Sequence, residues 1–220
     1  MFYKFPPTPY IEIDTSIKRN DKILSTDEIT SILKGEIIVE EKIDGANIGI
    51  SFDANGKIQV QNRGSYIYSP YLGQWKKLSD FLIKKENILF DILLDKYILF
   101  GEWCYAKHSV YYDHLPDWFI GFDIFDIKCE KFFSVDKRNF FLKEMGVEPV
   151  PQLAKGSFEI NELSTFFDIS KFGSELSEGI YIRKDSGDYL EYRAKMVRKE
   201  FRQKIGEHWM RGILQSNRLK

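Results

Sequence analysis

Two strand-forming runs lie so close together in this chain that a single short reversal is expected to link them, and that reversal carries a lysine, an acid, a glycine and an asparagine in quick succession. The stretch is "VEEKIDGANIGISF", Val39 to Phe52. Glu36 to Glu41 and Asn47 to Phe52 read as strands, the second with Ile48, Ile50 and Phe52 alternating onto one face. "DANG", Asp53 to Gly56, supplies the next turn before a third strand, Lys57 to Asn62, so the whole reads as an antiparallel meander. Lys42 ends the first apolar run and is followed at once by Asp44, Gly45 and Asn47. A lysine on a solvated strand needs no such company. A nucleophilic lysine does: its amine must be neutral, which takes nearby positive charge or poor solvation, and its electrophile must be held in line.

The remaining chain alternates the same kinds of element. "GQWKKLSDFLIKK" spaces Trp75, Leu78, Leu82 and Ile83 as a helix face, and "SVDKRNFFLKEMG" begins with a Ser134 cap and ends at Gly146. Between these helices "KYILFGEWCY" and "DWFIGFDIFD" read as central strands, nearly continuous in apolar residues and carrying acids at their ends, where a cleft is commonly lined. A second hairpin, "EGIYIRK" and "YLEYRAK", turns at Asp185 to Asp188. From Met196 onward Val197, Phe201, Ile205, Trp209 and Ile213 recur at helical intervals, predicting an amphipathic helix over about residues 196–215.

The 220 residues, 43% of them hydrophobic, suffice for one well-filled α+β domain, 1–220, with no internal repeat and no obvious linker. A net charge of −1 argues against bulk attraction to nucleic acid, yet Arg193, Lys195, Arg198, Lys199, Arg202, Lys204, Arg211, Arg218 and Lys220 face only Glu200 and Glu207 at the C-terminal end. Cys104 and Cys129 make neither a disulfide framework nor a metal knuckle and read as free thiols of a reducing cytosol. His108, His114 and His208 lack the spacing of a zinc site, and no serine stands on a G-x-S-x-G elbow. The proline-broken start "MFYKFPPTPYIEID" is not a signal peptide, and no run is long enough to span a bilayer. A cytoplasmic protein with no membrane association is therefore expected.

The acids and cations that could serve Lys42 recur along the chain in a definite order: Arg63 in "QNRG", Glu102 in "LFGE", Asp123 in "GFDIFD", Glu178 in "EGIYIR", and Arg193 and Lys195 in "YRAK". Phosphoryl and nucleotidyl transfer fits such a set, because its catalysis is mostly positioning and charge stabilisation by a divalent cation and basic side chains. Taken one at a time the motifs are weak: Lys-x-Asp-Gly is more often a strand end and turn, Glu102 and Glu178 could be strand-edge acids, and Phe122 by its pattern belongs to a core. Together, and in this order, they resemble the covalent nucleotidyltransferase superfamily, and within it the ATP-dependent RNA ligases. The resemblance runs from about Val39 to Trp209, and "GEWCYAKHSVYYDHLP", "KMVRKEFRQKIGEHW" and the opening "KFPPTPY" are similar to segments of small RNA ligase domain proteins.

That resemblance implies a ligase adenylyltransferase fold, antiparallel sheets flanking a nucleotide cleft with helices outside and no OB domain, and an enzyme that joins 3′-hydroxyl and 5′-phosphate RNA ends. Lys42 would take AMP from ATP as a phosphoramidate, pass it to the 5′-phosphate, and a 3′-hydroxyl would then expel it. Glu41 matches a position at the adenine edge, and Asn47 one near the strand being joined. Arg63 matches a contact to ribose and leaving phosphates, Glu102 one to the ribose hydroxyl, and Phe122 the aromatic stacked on adenine. Glu178, with Asp123, would hold the waters of Mg²⁺ or Mn²⁺. Arg193 and Lys195 would neutralise the α-phosphate and depress the pKa of Lys42, although the family's last motif usually reads Lys-x-Lys where this chain has Arg-Ala-Lys. Only about one helix follows Lys195, which implies a pre-formed nick as substrate or a partner that binds RNA or heals its ends. The competing readings are a minimal DNA nick ligase and a non-catalytic nucleotide- or RNA-binding module.

Overall fold

The computed structural model of the chain describes residues 2–12, 22–204 and 214–220. Among these residues the elements run α1 (Thr26–Leu33), β1 (Ile37–Lys42), β2 (Ala46–Phe52), β3 (Ile58–Gln61), β4 (Tyr66–Ile67), α2 (Leu78–Leu93), β5 (Tyr97–Trp103), β6 (Phe119–Asp126) and β7 (Lys131–Phe132). They continue as α3 (Val135–Glu144), β8 (Glu148–Pro149), β9 (Gln152–Gly156), β10 (Gly179–Ser186), β11 (Tyr189–Val197) and α4 (Lys199–Lys204). The strands make two sheets, one in the order β11-β10-β1-β9 and one in the order β4-β3-β2-β5-β6-β7. Strand pairing is antiparallel except where β8 runs parallel to β6.

The expected meander holds for only one of its two joints. β2 and β3 pair, Phe52 opposite Ile58, and Asp53 closes the turn by accepting from the amides of Asn55 and Lys57. β1 leaves β2 altogether and lies between β10 and β9 in the other sheet. The reason is that two cores claim the two runs. Ile37 and Val39 pack with Ile29, Ile32, Ile180 and Ile182 under α1, whereas Ile48 and Ile50 pack with Phe81, Leu82 and Leu89 of α2. Lys42 to Gly45 therefore crosses from sheet to sheet rather than turning a hairpin.

α2 starts at Leu78 and buries Leu78, Phe81, Leu82, Leu89 and Leu93. Trp75 sits in a 3₁₀ turn before it, and Ile83, expected on the same face, points outward and is 76% exposed. Ser134 caps α3 as expected by accepting from the Lys137 amide, and Gly146 takes a left-handed φ of 61° after its end. The β10–β11 hairpin pairs Ser186 with Tyr189 across Gly187, at φ 57°, and Asp188. The C-terminal helix departs from expectation at its start, because Met196 and Val197 still belong to β11 and pair with Ile180 and Gly179. α4 covers Lys199–Lys204, and the rest of the expected helix, with His208, lies largely outside the described residues. No helix among the described residues is long and apolar enough to cross a membrane.

Candidate active site

Alternation along the four-stranded sheet decides what faces the space between the sheets. Glu40 and Lys42 of β1 stand opposite Tyr181 and Gly179 of β10, and Tyr181 and Arg183 stand opposite Lys195 and Arg193 of β11. With side chains alternating every second residue, Glu40, Lys42, Tyr181, Arg183, Arg193 and Lys195 share one face. Val39, Ile180, Ile182 and Ala194 take the other face and fill the core under α1. A cavity of about 230 Å³ lies on the charged side, lined by side chains from both sheets, among them Lys42, Asn47, Arg63, Glu102, Phe122, Tyr181, Arg183 and Lys195.

Lys42 ends in a short ion pair, its Nζ 2.5 Å from an Oε of Glu178. Burial by itself pulls the amine down, but the carboxylates of Glu178, Glu102 and Asp44 outweigh it, and Lys42 is held above the usual lysine range. The expected depression by Arg193 and Lys195 is thus reversed: the cleft presents Lys42 to acids, which keep it charged. Burial raises the carboxyl of Glu178, against the attraction of Lys42. Burial also pushes Glu102 up to about 8, with Lys42 and Arg63 pulling the other way, and its Oε2 is buried with no hydrogen-bond partner.

The glycines of these motifs are explained by crowding. A Cβ on Gly45 would come within 3.0 Å of the Trp103 carbonyl oxygen and 3.1 Å of Cys104 Sγ, so β1 and β5 could not bring Lys42 and Glu102 together around a larger residue. A Cβ on Gly179 would sit 2.1 Å from the Met196 carbonyl oxygen, inside the hairpin that carries Glu178 and Lys195. Asp44 has a structural task that the motif alone did not reveal. Its Oδ2 accepts from the amides of Ser109 and Val110 at 2.6 and 2.9 Å, and its own amide donates to Tyr112 Oη at 2.7 Å. It thereby pins the segment after β5 beside Lys42.

Phe122 reaches the cavity through a β-bulge. The β5–β6 register passes from Phe100↔Asp123 to Gly101↔Gly121, leaving Phe122 unpaired, and its half-buried ring lines the cavity while packing edge-on against Phe5 at 5.2 Å. Asn47 pairs with Glu102 across β2 and β5, so the two project to the same face. Glu41 is different. Its side chain shares the parity of Val39 and is bound by Ser170 Oγ at 2.5 Å and by the Lys171 amide at 2.9 Å, so only its backbone is available to the cavity.

Two expected roles are corrected. Asp123 is fully buried, one oxygen 2.7 Å from Arg183 and the other 3.2 Å from Arg193, and two guanidinium groups leave no open side for a hydrated cation. Arg193, for its part, is occupied by Asp123 and packs over the rings of Phe5 and Phe132 at 4.6 and 4.4 Å; it does not line the cavity. Lys195 does, with its Nζ 4.1 Å above the Tyr10 ring.

The N-terminal segment closes one side of the site. Tyr3 exchanges hydrogen bonds with the Gln61 side chain at the seven-stranded sheet, and the Pro9 carbonyl accepts from Lys195 N at the four-stranded one. Lys4 to Thr8 span the gap between these anchors and line the cavity. No periodicity marked this strap, and only the likeness of "KFPPTPY" to ligase segments hinted at it. Tyr181 and Arg183 were also missed, although they share the parity of Gly179, the residue opposite Lys42.

A protein-family model described as RNA ligase matches residues 35–197. The chain belongs to the RNA ligase family. The matched segment contains every residue of the cleft except the N-terminal strap. Among solved structures, this RNA ligase family member is similar to Naegleria gruberi RNA ligase with PPi, at 17% identity and a TM-score of 0.65, covering 94% of this chain and 64% of that one. It is also similar to a lysine-to-alanine variant of that ligase with ATP and Mn, at 16% identity and a TM-score of 0.64, covering 81% and 54%. The chain thus spans 54 to 64% of the length of these structures. Their mixed helices and antiparallel sheets are the same fold. A search of curated proteins finds no match.

Proposed function

We propose that this chain is an ATP-dependent RNA ligase that joins 3′-hydroxyl and 5′-phosphate ends through adenylylation of Lys42. The observation that carries the reading is the setting of Lys42: a half-buried amine 2.5 Å from Glu178, with Glu102 beside it and Asn47, Arg63, Phe122 and Lys195 lining the same cavity. The Naegleria ligase structures with ATP and Mn support both the co-substrate and a divalent cation.

A nucleophilic amine must first lose its proton. Glu178, in hydrogen-bond contact with it, is the nearest acceptor for that proton. The neutral amine would attack the α-phosphorus of ATP, forming a P–N bond as the bond to pyrophosphate breaks. Lys195 and Arg63 supply positive charge for the phosphates, the bulged Phe122 a ring for the base, and Glu102 an acceptor for the ribose hydroxyl. The AMP would pass to the RNA 5′-phosphate, and attack by the 3′-hydroxyl would release it.

The acids present fit a hard, partly hydrated cation. Glu102 of β5 and Glu178, just before β10, bring oxygen donors from the two sheets to Lys42, the Glu102 oxygen without a partner, and two carboxylates suit Mg²⁺ or Mn²⁺, which keep several waters. Such an ion would relieve Lys42 of its acidic neighbours and neutralise phosphate charge. A partner that supplies RNA binding or end healing, and use of a nicked duplex, belong to the same proposal.

The test is intact-mass analysis of the purified protein with Mg²⁺ and ATP, with GTP in parallel. An AMP adduct removed by added pyrophosphate is the expected result. A GMP adduct, or none in well-folded protein with either metal, would overturn the reading. On nicked duplexes, sealing that requires ribose at the 3′-hydroxyl end separates an RNA ligase from a DNA nick ligase.

A further inference from the structure

We propose that Phe2, Tyr66 and Tyr68 form a stacking platform for an unpaired RNA nucleotide next to the end being joined; the proposal rests on the RNA ligase reading of the cavity. The argument begins with parity. Gln61 of β3 stands opposite Gly49 of β2, and Asn47 opposite Glu102, so Gln61 shares the cleft face of the seven-stranded sheet with those two site residues. Tyr66 pairs with Gln61, while its neighbour Ile67 pairs with Val60 and packs into the core under α2. Tyr68, just past the end of β4, keeps its ring beside that of Tyr66. The cleft face of this sheet therefore continues past Arg63 as a row of aromatic rings.

The two outer rings are exposed and the middle one, Tyr66, is half-buried between them. Tyr68 is 72% exposed and Phe2 37% exposed. Phe2 meets Tyr66 edge-on at 5.4 Å, and Tyr66 lies 6.3 Å from Tyr68, so each ring supports the next. Beside them stand Lys4 and Arg63, both exposed and both lining the mouth of the cavity. Asp53, whose charge reaches Tyr66, is engaged by the amides of Asn55 and Lys57 and by Gln59. Exposed aromatic faces flanked by cations suit a single-stranded polynucleotide, because every base has a π-face and every linkage a negative charge. Their continuity with the cavity places the stacked nucleotide on the strand whose end enters it.

The experiment uses the full chain and a short 5′-phosphorylated single-stranded oligoribonucleotide carrying 2-aminopurine near its end. Tyr68→Ala is expected to weaken RNA binding about tenfold, the scale of one lost base–aromatic stack, and Phe2→Ala to add to it. Tyr68→Phe, which keeps the ring, should retain the affinity. Self-adenylylation with ATP alone should proceed at the wild-type rate in all three. Unchanged affinity and 2-aminopurine fluorescence in Tyr68→Ala would overturn the platform, leaving the rings for a protein partner. Loss of adenylylation alongside RNA binding would overturn it too, by placing the rings in the nucleotide site. If the wild-type protein forms no adduct but binds RNA through these rings, the ligase reading falls and the platform stands.

Discussion

Lys42 and its acids make the first test at the level of single residues. Lys42→Ala should abolish the covalent adduct while the far-ultraviolet circular dichroism stays that of the wild type, because the lysine lies at a strand end and contributes little apolar burial. Any label on the variant would show another nucleophile. Glu102 gives a prediction in pH. Its carboxyl is raised from an ordinary 4.5 to about 8, so the folded protein holds a proton that the unfolded chain releases, and this contribution to stability is lost as the pH rises from about 4.5 to 8. Glu102→Gln removes the loss. Its melting temperature should gain on the wild type steadily across that window and level off above it, and a difference that is flat with pH would show that burial does not control this group. The nucleophile motif was legible in the sequence because Lys42, Arg63, Glu102, Glu178 and Lys195 are side chains with few bland reasons to occur in that order. The roles given to Asp123 and Arg193 were not, since an acid and a cation within strands look the same in sequence whether they face a cleft or each other.

At the scale of elements, the crossing from β1 to β2 is held by Asp44 rather than by a turn. Asp44→Ala would leave the amides of Ser109 and Val110 without their charged acceptor, a loss of about 2–3 kcal/mol that urea unfolding would detect. Adduct formation should slow as the segment behind Lys42 loosens. An unchanged denaturation midpoint would mean that water replaces the carboxylate without cost. Gly179→Ala tests the hairpin: with the Met196 carbonyl 2.1 Å from the new Cβ, β10 and β11 must separate, and a destabilisation of about 1–3 kcal/mol or more is expected. Most elements could be read from pattern. The caps at Ser134 and Gly146 and the β10–β11 turn rest on local chemistry that acts wherever the segment lies. The pairing of β1 could not, because it depends on which distant core receives Ile37 and Val39.

Across the whole molecule the two sheets are tied by buried charge on the cleft side. Arg138 of α3 binds Glu40 of β1 at 2.5 and 3.2 Å and the Phe122 carbonyl of β6 at 2.7 Å, and Arg183 of β10 binds Asp123 and the Phe133 carbonyl at 2.7 and 2.9 Å. Arg138→Met should cost about 3–5 kcal/mol by stranding Glu40, and adding Glu40→Gln should recover part of it. Simple additivity of the two changes in chemical denaturation would mean that the pair is not coupled. What the sequence by itself determined is local and chemical: the strands and helices with strong periodicity, the caps and turns, and the set of nucleotidyl-transfer side chains strung along the chain in order. What only the tertiary structure decided is which of those charges meet. It sent β1 to the second sheet, bulged Phe122 into the cavity, turned the Glu41 side chain away from it, matched Asp123 with two arginines, and drew Lys4 to Thr8 across the gap as a wall. Local pattern specifies the face on which a side chain lies, but whether that face meets solvent, a core or an opposite charge depends on contacts between residues far apart in the chain.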